Sequence, residues 1–186
     1  MCKQNNDILT ALAVGTDGKL HVAWVVGTAA WNGPVAFGPA FAPGGAPVTM
    51  CKQTDNLLTA IAVGNDGKMH VAWVVGIGNW QGPVAFGVPF APPGAGVAMA
   101  KQNDNLLTAM VIGDDGGIWV SWVQGTGPWN GPVRLPGPAG QFPPGANIAM
   151  CKQTGNILTA MAVDKNNRIN VAWVVDTNPW NGPVAI

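Results

Sequence analysis

One unit recurs four times along the chain. MCKQ (1–4), MCKQ (50–53), MAKQ (99–102) and MCKQ (150–153) open copies spaced by 49, 49 and 51 residues. The two extra residues fall in the third linker, PGPAGQFPPGAN. Agreement runs through the whole unit, so the copies 1–49, 50–98, 99–149 and 150–186 are true repeats. A unit this short cannot bury an apolar face alone and must stack on its own copies. The repeat therefore limits the chain to solenoids, arrays and rings.

Within a copy the pattern is that of strands. LLTAIAV (57–63) is short, apolar and bounded by polar turns, and MHVAWVV (69–75) follows after GNDG. Asp66-Gly67 offers the positive φ of a two-residue hairpin turn, as do Asp17-Gly18, Asp115-Gly116 and Asn166-Asn167 in the other copies. A shorter strand near VTMCKQ (48–53) precedes a turn at 54–56, matched by Asn6-Asp7, Asp104-Asn105 and Gly155-Asn156. GPVAF supplies a fourth strand. No helical period appears, and 26 Gly with 16 Pro would interrupt most helices.

Strand faces decide how these units stack. In MHVAWVV, Met69, Val71, Trp73 and Val75 point one way, and His70, Ala72 and Val74 point the other. Both faces are largely apolar, so both need cover, and other sheets must supply it. One face is large and the other small, which suits identical sheets stacked large side on small side. The reading is an all-β fold: a single β-propeller domain over 1–186, with four four-stranded antiparallel blades per chain.

Composition removes several functions. Hydrophobic residues make up 48% and charged residues 10%, with a net charge of +0. No basic stripe exists to neutralise phosphates, which excludes nucleic acid as the main partner. No apolar run is long enough to span a bilayer. MCKQNND lacks the layout of a secretory signal, so synthesis in a reducing cytoplasm is expected, with release by a non-classical route left open. Cys2, Cys51 and Cys151 occupy one repeat position, where the third copy has Ala100, and read as small buried apolar residues. There is no Glu, no G-x-S-x-G and no H-E-x-x-H. The distinctive polar groups are repeated, whereas catalysis needs one asymmetric constellation, so no enzyme is expected. The lone Asp of each hairpin falls short of the six or more oxygens calcium takes, and no metal or cofactor is expected.

The nine Trp residues fall mostly into two rows. Trp24, Trp73, Trp122 and Trp173 lie mid-strand among apolar neighbours and read as blade-to-blade core. Trp31, Trp80, Trp129 and Trp180 each follow a Gly-, Asn- or Pro-rich loop and precede an amide and a Gly-Pro corner. An indole at a strand mouth can take the C–H face of a neutral sugar while amides take its hydroxyl rim. It can equally plug the gap between blades. Asn32, Gln81, Asn130 and Asn181 are the adjacent polar candidates, and Gln4, Gln53, Gln102 and Gln153 form a second row. His21, His70, Trp119 and Asn170 share one strand position. Their variation speaks against catalysis or metal binding and for a variable ligand wall or a solvated strand face.

The run from KQxDNLLTAxxxGxDGxxxVxWVxGxGxWxGPV to FAPPGAGV (90–97), and its counterparts in the other copies, resemble the PLL-type bacterial lectins of Photorhabdus. That resemblance implies a bladed propeller binding fucose-type or O-methylated sugars between adjacent blades, in host or microbe recognition. It places the ligand role on the loop Trp row and implies glycan partners held by many weak sites acting together. The rival class is a propeller scaffold for protein partners, which would need copies that differ at one surface. Family members usually carry about seven blades per chain, against four here. Four blades can close alone at about 90° per blade, or two chains can share an eight-bladed ring at about 45°. A head-to-tail homodimer is the favoured expectation.

Overall fold

The structure, a computed structural model, describes residues 1–5 and 7–186. The first sheet holds β1 (Cys2–Lys3), β2 (Ile8–Val14), β3 (Leu20–Val26) and β4 (Asn32–Phe37). The second holds β5 (Thr49–Thr54), β6 (Leu57–Val63), β7 (Met69–Val75) and β8 (Gln81–Phe86). β9 (Val97–Asn103), β10 (Leu106–Ile112), β11 (Ile118–Gln124) and β12 (Asn130–Arg134) make the third. β13 (Ile148–Lys152), β14 (Ile157–Val163), β15 (Ile169–Val175) and β16 (Asn181–Ala185) make the fourth. Each sheet is an antiparallel meander in chain order, the four-stranded blade that the repeat predicts. Of the first copy's turn residues, Asn6 lies outside the described residues. Among the described residues no helix is long and apolar enough to cross a membrane.

The blades fan out from their first strands: β5 packs on β1, β9 on β5 and β13 on β9. Among the described residues β13 does not pack back on β1, so the four blades form an open arc. Each blade meets the next large face to small face. Ile61, Val63, Met69 and Val71 of the second blade are buried against Leu107, Ala109 and Val111 of the third. Met110, Ile112, Ile118 and Val120 lie in the same way against Ala160, Ala162 and Ala172. A linker phenylalanine is buried in each interface: Phe41, Phe90 or Phe142. The strap carrying it is tied to both blades. Phe41 N–H donates to Gly18 O of its own blade at 2.9 Å, and its carbonyl accepts from Asn65 N–H of the next at 2.7 Å.

The hairpins differ from the expected two-residue turn. Val63 pairs with Met69, and Gly67 N–H closes onto Gly64 O, leaving three residues at the tip. Only the last of these takes positive φ: Gly18, Gly67, Gly116 and Asn167. This is a type I turn followed by one left-handed residue. The preceding Asp caps the turn, as when Asp66 Oδ1 accepts Lys68 N–H at 3.1 Å and also meets His70 Nε2 at 2.9 Å. The fourth copy moves the acid two residues earlier. Asp164 Oδ1 accepts the N–H groups of Asn166 and Arg168, at 2.8 and 3.0 Å. The move is steric: a Cβ at Gly64 would sit 2.5 Å from the His70 ring, whereas the fourth copy has the smaller Asn170. The Arg168 backbone N–H leads the hydrogen bonds that hold the Asp164 carboxyl at about 2, against an ordinary 3.8.

The Gly-Pro corner makes a bulge. Trp73 pairs with Gln81 but Val71 with Val84, so β8 carries an extra residue. Gly82 absorbs it at φ 89°, where a Cβ would lie 2.6 Å from Val71 O. The cysteines are less buried than the sequence suggests. Cys2 and Cys51 are half-buried and Cys151 is exposed, because β13 lies at the open end of the arc. Burial, with the Cys2 thiol beside it, pushes the Cys51 thiol up to about 11.

Three outcomes follow. Gly82→Ala is expected to lose about 1–2 kcal/mol or more in denaturant unfolding, from its left-handed backbone alone. The Asp164 carboxylate contributes stability that is complete above pH 3.8 and lost as pH falls towards about 2. Melting curves should show that loss in the parent chain and a flatter acid limb in Asp164→Asn. Maleimide at mildly alkaline pH should label Cys151 well before Cys51 in the unassembled chain, read by peptide mass.

Candidate functional site

Three grooves lie between successive blades, built alike. The first is lined by Gln4, Thr10, Trp24 and Phe37 of one blade and by Asn79 and Trp80 of the next, with a volume of about 400 Å³. The second joins Gln53, Thr59, Trp73 and Phe86 to Thr126 and Trp129, in about 540 Å³. The third joins Gln102, Thr108 and Trp122 to Asn178 and Trp180, in about 340 Å³. These volumes suit a small ligand. The loop before the fourth strand of each blade reaches across to the preceding blade, so no groove belongs to one repeat.

A side-chain relay crosses each groove. Thr10 Oγ1 donates to Gln4 Oε1 at 2.7 Å, and Gln4 Nε2 donates to Gly76 O of the next blade. Thr59, Gln53 and Gly125 repeat it, with the Thr–Gln bond at 2.7 Å. Thr108, Gln102 and Asp176 repeat it again, with that bond at 3.1 Å. The glutamines thus tie neighbouring blades together. Each keeps a second amide hydrogen and an acceptor lone pair beyond these bonds.

Aromatic walls face this relay. Trp80 stacks on Phe37 with centroids 5.5 Å apart and planes at 28°. Trp129 stacks on Phe86 at 5.2 Å and 25°. The loop indole is therefore both a plug and a wall: one part packs on the preceding blade while the residue stays half-buried at the groove. Trp24, Trp73 and Trp122, assigned to the core from sequence, are half-buried and line the grooves as well. Trp73 and Trp122 also pack against the interblade clusters. The available signal was their place near the exposed strand end, two residues before Val26, Val75 and Gln124.

Other sequence candidates lie elsewhere. Asn32 Nδ2 and Asn130 Nδ2 donate to the carbonyls of Trp24 and Trp122 at 3.5 Å, and Gln81 Nε2 to Asn79 O at 3.4 Å. Asn181 pairs in register with Trp173 on β15. This exposed amide row sits beside the bulge and lines none of the three grooves. His21, His70, Trp119 and Asn170 also line none of them. His70 and Trp119 pack on the strap residues Phe41 and Phe90. His21 meets Asp17, Trp119 Nε1 donates to Asp115, and Asn170 Oδ1 accepts from Gln141 Nε2. In the second, third and fourth blades that strand position seats the linker. Of the amide rows, the structure brings the glutamines to the groove. Trp31 is 48% exposed at the open end of the arc. Among the described residues no cluster of three His, Cys or acidic side chains is placed to hold a metal ion.

No protein-family model matches the sequence, and neither does any curated protein. Among solved structures, the BP39L lectin from Burkholderia pseudomallei is 36% identical with a TM-score of 0.90, over 98% of this chain and 56% of that one. AofleA from Arthrobotrys oligospora matches at 15% identity and TM-score 0.73, over 98% and 54%. Aleuria aurantia lectin, solved with alpha-methyl-L-fucoside, matches at 14% and 0.63, over 97% and 61%. The chain thus spans little more than half the length of these structures. The last two likenesses are of fold alone. By sequence and backbone together the chain is similar to a lectin, BP39L, and by backbone alone to the other two structures, in keeping with the PLL-type resemblance of its repeats.

Proposed function

We propose that the chain is a multivalent lectin without catalytic activity, binding neutral sugars of the fucose or O-methylated type in its interblade grooves. One observation carries the reading: the same chemistry recurs in three grooves, each with two indoles facing an amide–hydroxyl relay. Indole planes suit the C–H face of a sugar, and the spare amide hydrogen and lone pair suit its hydroxyls. The lining is almost wholly uncharged, which suits a neutral ligand. BP39L, the 36% identical relative, is itself a lectin. Similar weak sites on one arc gain strength together at a glycan-coated surface, where later contacts form at high effective concentration. Assembly as a homo-oligomer would extend that array.

The test is a glycan array with labelled protein, with and without EDTA, followed by calorimetry. The expected result is binding to fucosylated or methylated glycans, unchanged by EDTA. Trp80→Ala should keep the fold and weaken one groove by about tenfold or more, equivalent to about 1.4 kcal/mol. A blank array at high protein concentration would overturn the reading and favour protein partners instead.

A further inference from the structure

Two blade faces remain uncovered, and they are complementary. The large face of the fourth blade carries Met161, Val163 and Ile169 at 46%, 50% and 46% exposure. Their counterparts Ile61, Val63 and Met69 are at 1% or less beneath the third blade. At the other end, Ala13 is exposed and Ala11 and Ala23 are half-buried, whereas Ala60, Ala62 and Ala72 are each at 1%. The arc therefore ends in one large and one small face, the pair that meets in every internal interface.

Polar groups at the same two ends are also half-matched. Thr159 Oγ1 donates to Gln153 Oε1 at 2.9 Å, as in the other relays. Gln4, Gln53 and Gln102 pass the relay on to Gly76, Gly125 and Asp176, whose first-copy counterpart is Gly27. Gln153 is exposed and Gly27 stands exposed at the far end of the arc. Trp31 lacks the stacking partner that Trp80 finds in Phe37, and Ile186, the repeat counterpart of Phe37, is 77% exposed.

We infer that the fourth blade of one copy docks on the first blade of a second copy. This seam completes a fourth groove, with Gln153, Thr159 and Trp173 from one chain and Trp31 from its partner. As a sugar site this groove rests on the lectin reading above. The packing does not. The contact is head to tail, and two such seams close eight blades into a ring at about 45° each.

Size-exclusion chromatography with light scattering, at micromolar concentration, reads the assembly directly. The expected mass is twice that of one 19.1 kDa chain. Val163→Lys puts an ammonium on the large face of the fourth blade, at a residue already half exposed. It should halve the mass while circular dichroism stays unchanged. Calorimetry with methyl fucoside should count four sites per chain in the parent and three in both Val163→Lys and Trp31→Ala. A single-chain mass for the parent overturns the inference and leaves the two faces to other blades. An open-ended series of larger masses overturns the ring. A dimeric mass with three sites per chain overturns the fourth groove. A dimer that binds no sugar at all overturns the lectin reading and leaves the seam standing.

Discussion

Everything in this molecule depends on fitting a broad apolar face into a shallow one. A blade made of four short strands has two apolar sides and no means of burying either by itself. Alternation along β7 sorts Met69 and Val71 to one side and Ala72 to the other, and every copy keeps that division. Stacking copies then lets bulky side chains fill the space that the alanines leave. The linker phenylalanine occupies the remaining wedge, and the backbone of its strap is hydrogen-bonded to the hairpins on both sides. Blade spacing is thus set by side-chain volume, and strap bonding holds it.

The grooves follow from the same packing. Apolar contact between blades ends near the strand ends, where the loop indole leans back onto the preceding sheet. Above that contact the glutamine relay spans the remaining opening and prevents the blades from separating there. A groove with aromatic walls and an amide floor is what such a joint leaves. Because each joint repeats, so does the groove, and under the proposed function its groups serve both cohesion and recognition. Trp80 shows this best, stacked on Phe37 and lining the opening at once.

Much of this was legible in the residues because each signal was local. Strand limits at 57–63 and 69–75, the meander and the large-on-small stacking all follow from period and turn chemistry within one copy. The hairpin tip was misjudged in length because Asp-Gly suits several turns, and only the pairing of Val63 with Met69 distinguishes them. Contacts between copies were harder to read. Nothing within VAWVV says that its indole sits at the edge of an interface and not inside it. Similarly, His70 and Asn170 looked like a ligand wall until the strap crossing them was visible. Gln53 was visible as a candidate, but its bond to Gly125 joins residues far apart in sequence.

The central claim is that one sugar site forms wherever two blades meet, between a loop indole and a glutamine–threonine pair. Crystals of the chain grown with methyl fucoside would test it most directly. Sugar density is expected in the grooves at Trp80, Trp129 and Trp180, with hydroxyls within hydrogen-bond reach of Gln4, Gln53 and Gln102. Sugar bound instead beside the exposed amides at Asn32 and Gln81, or at the hairpins near His70, would contradict it.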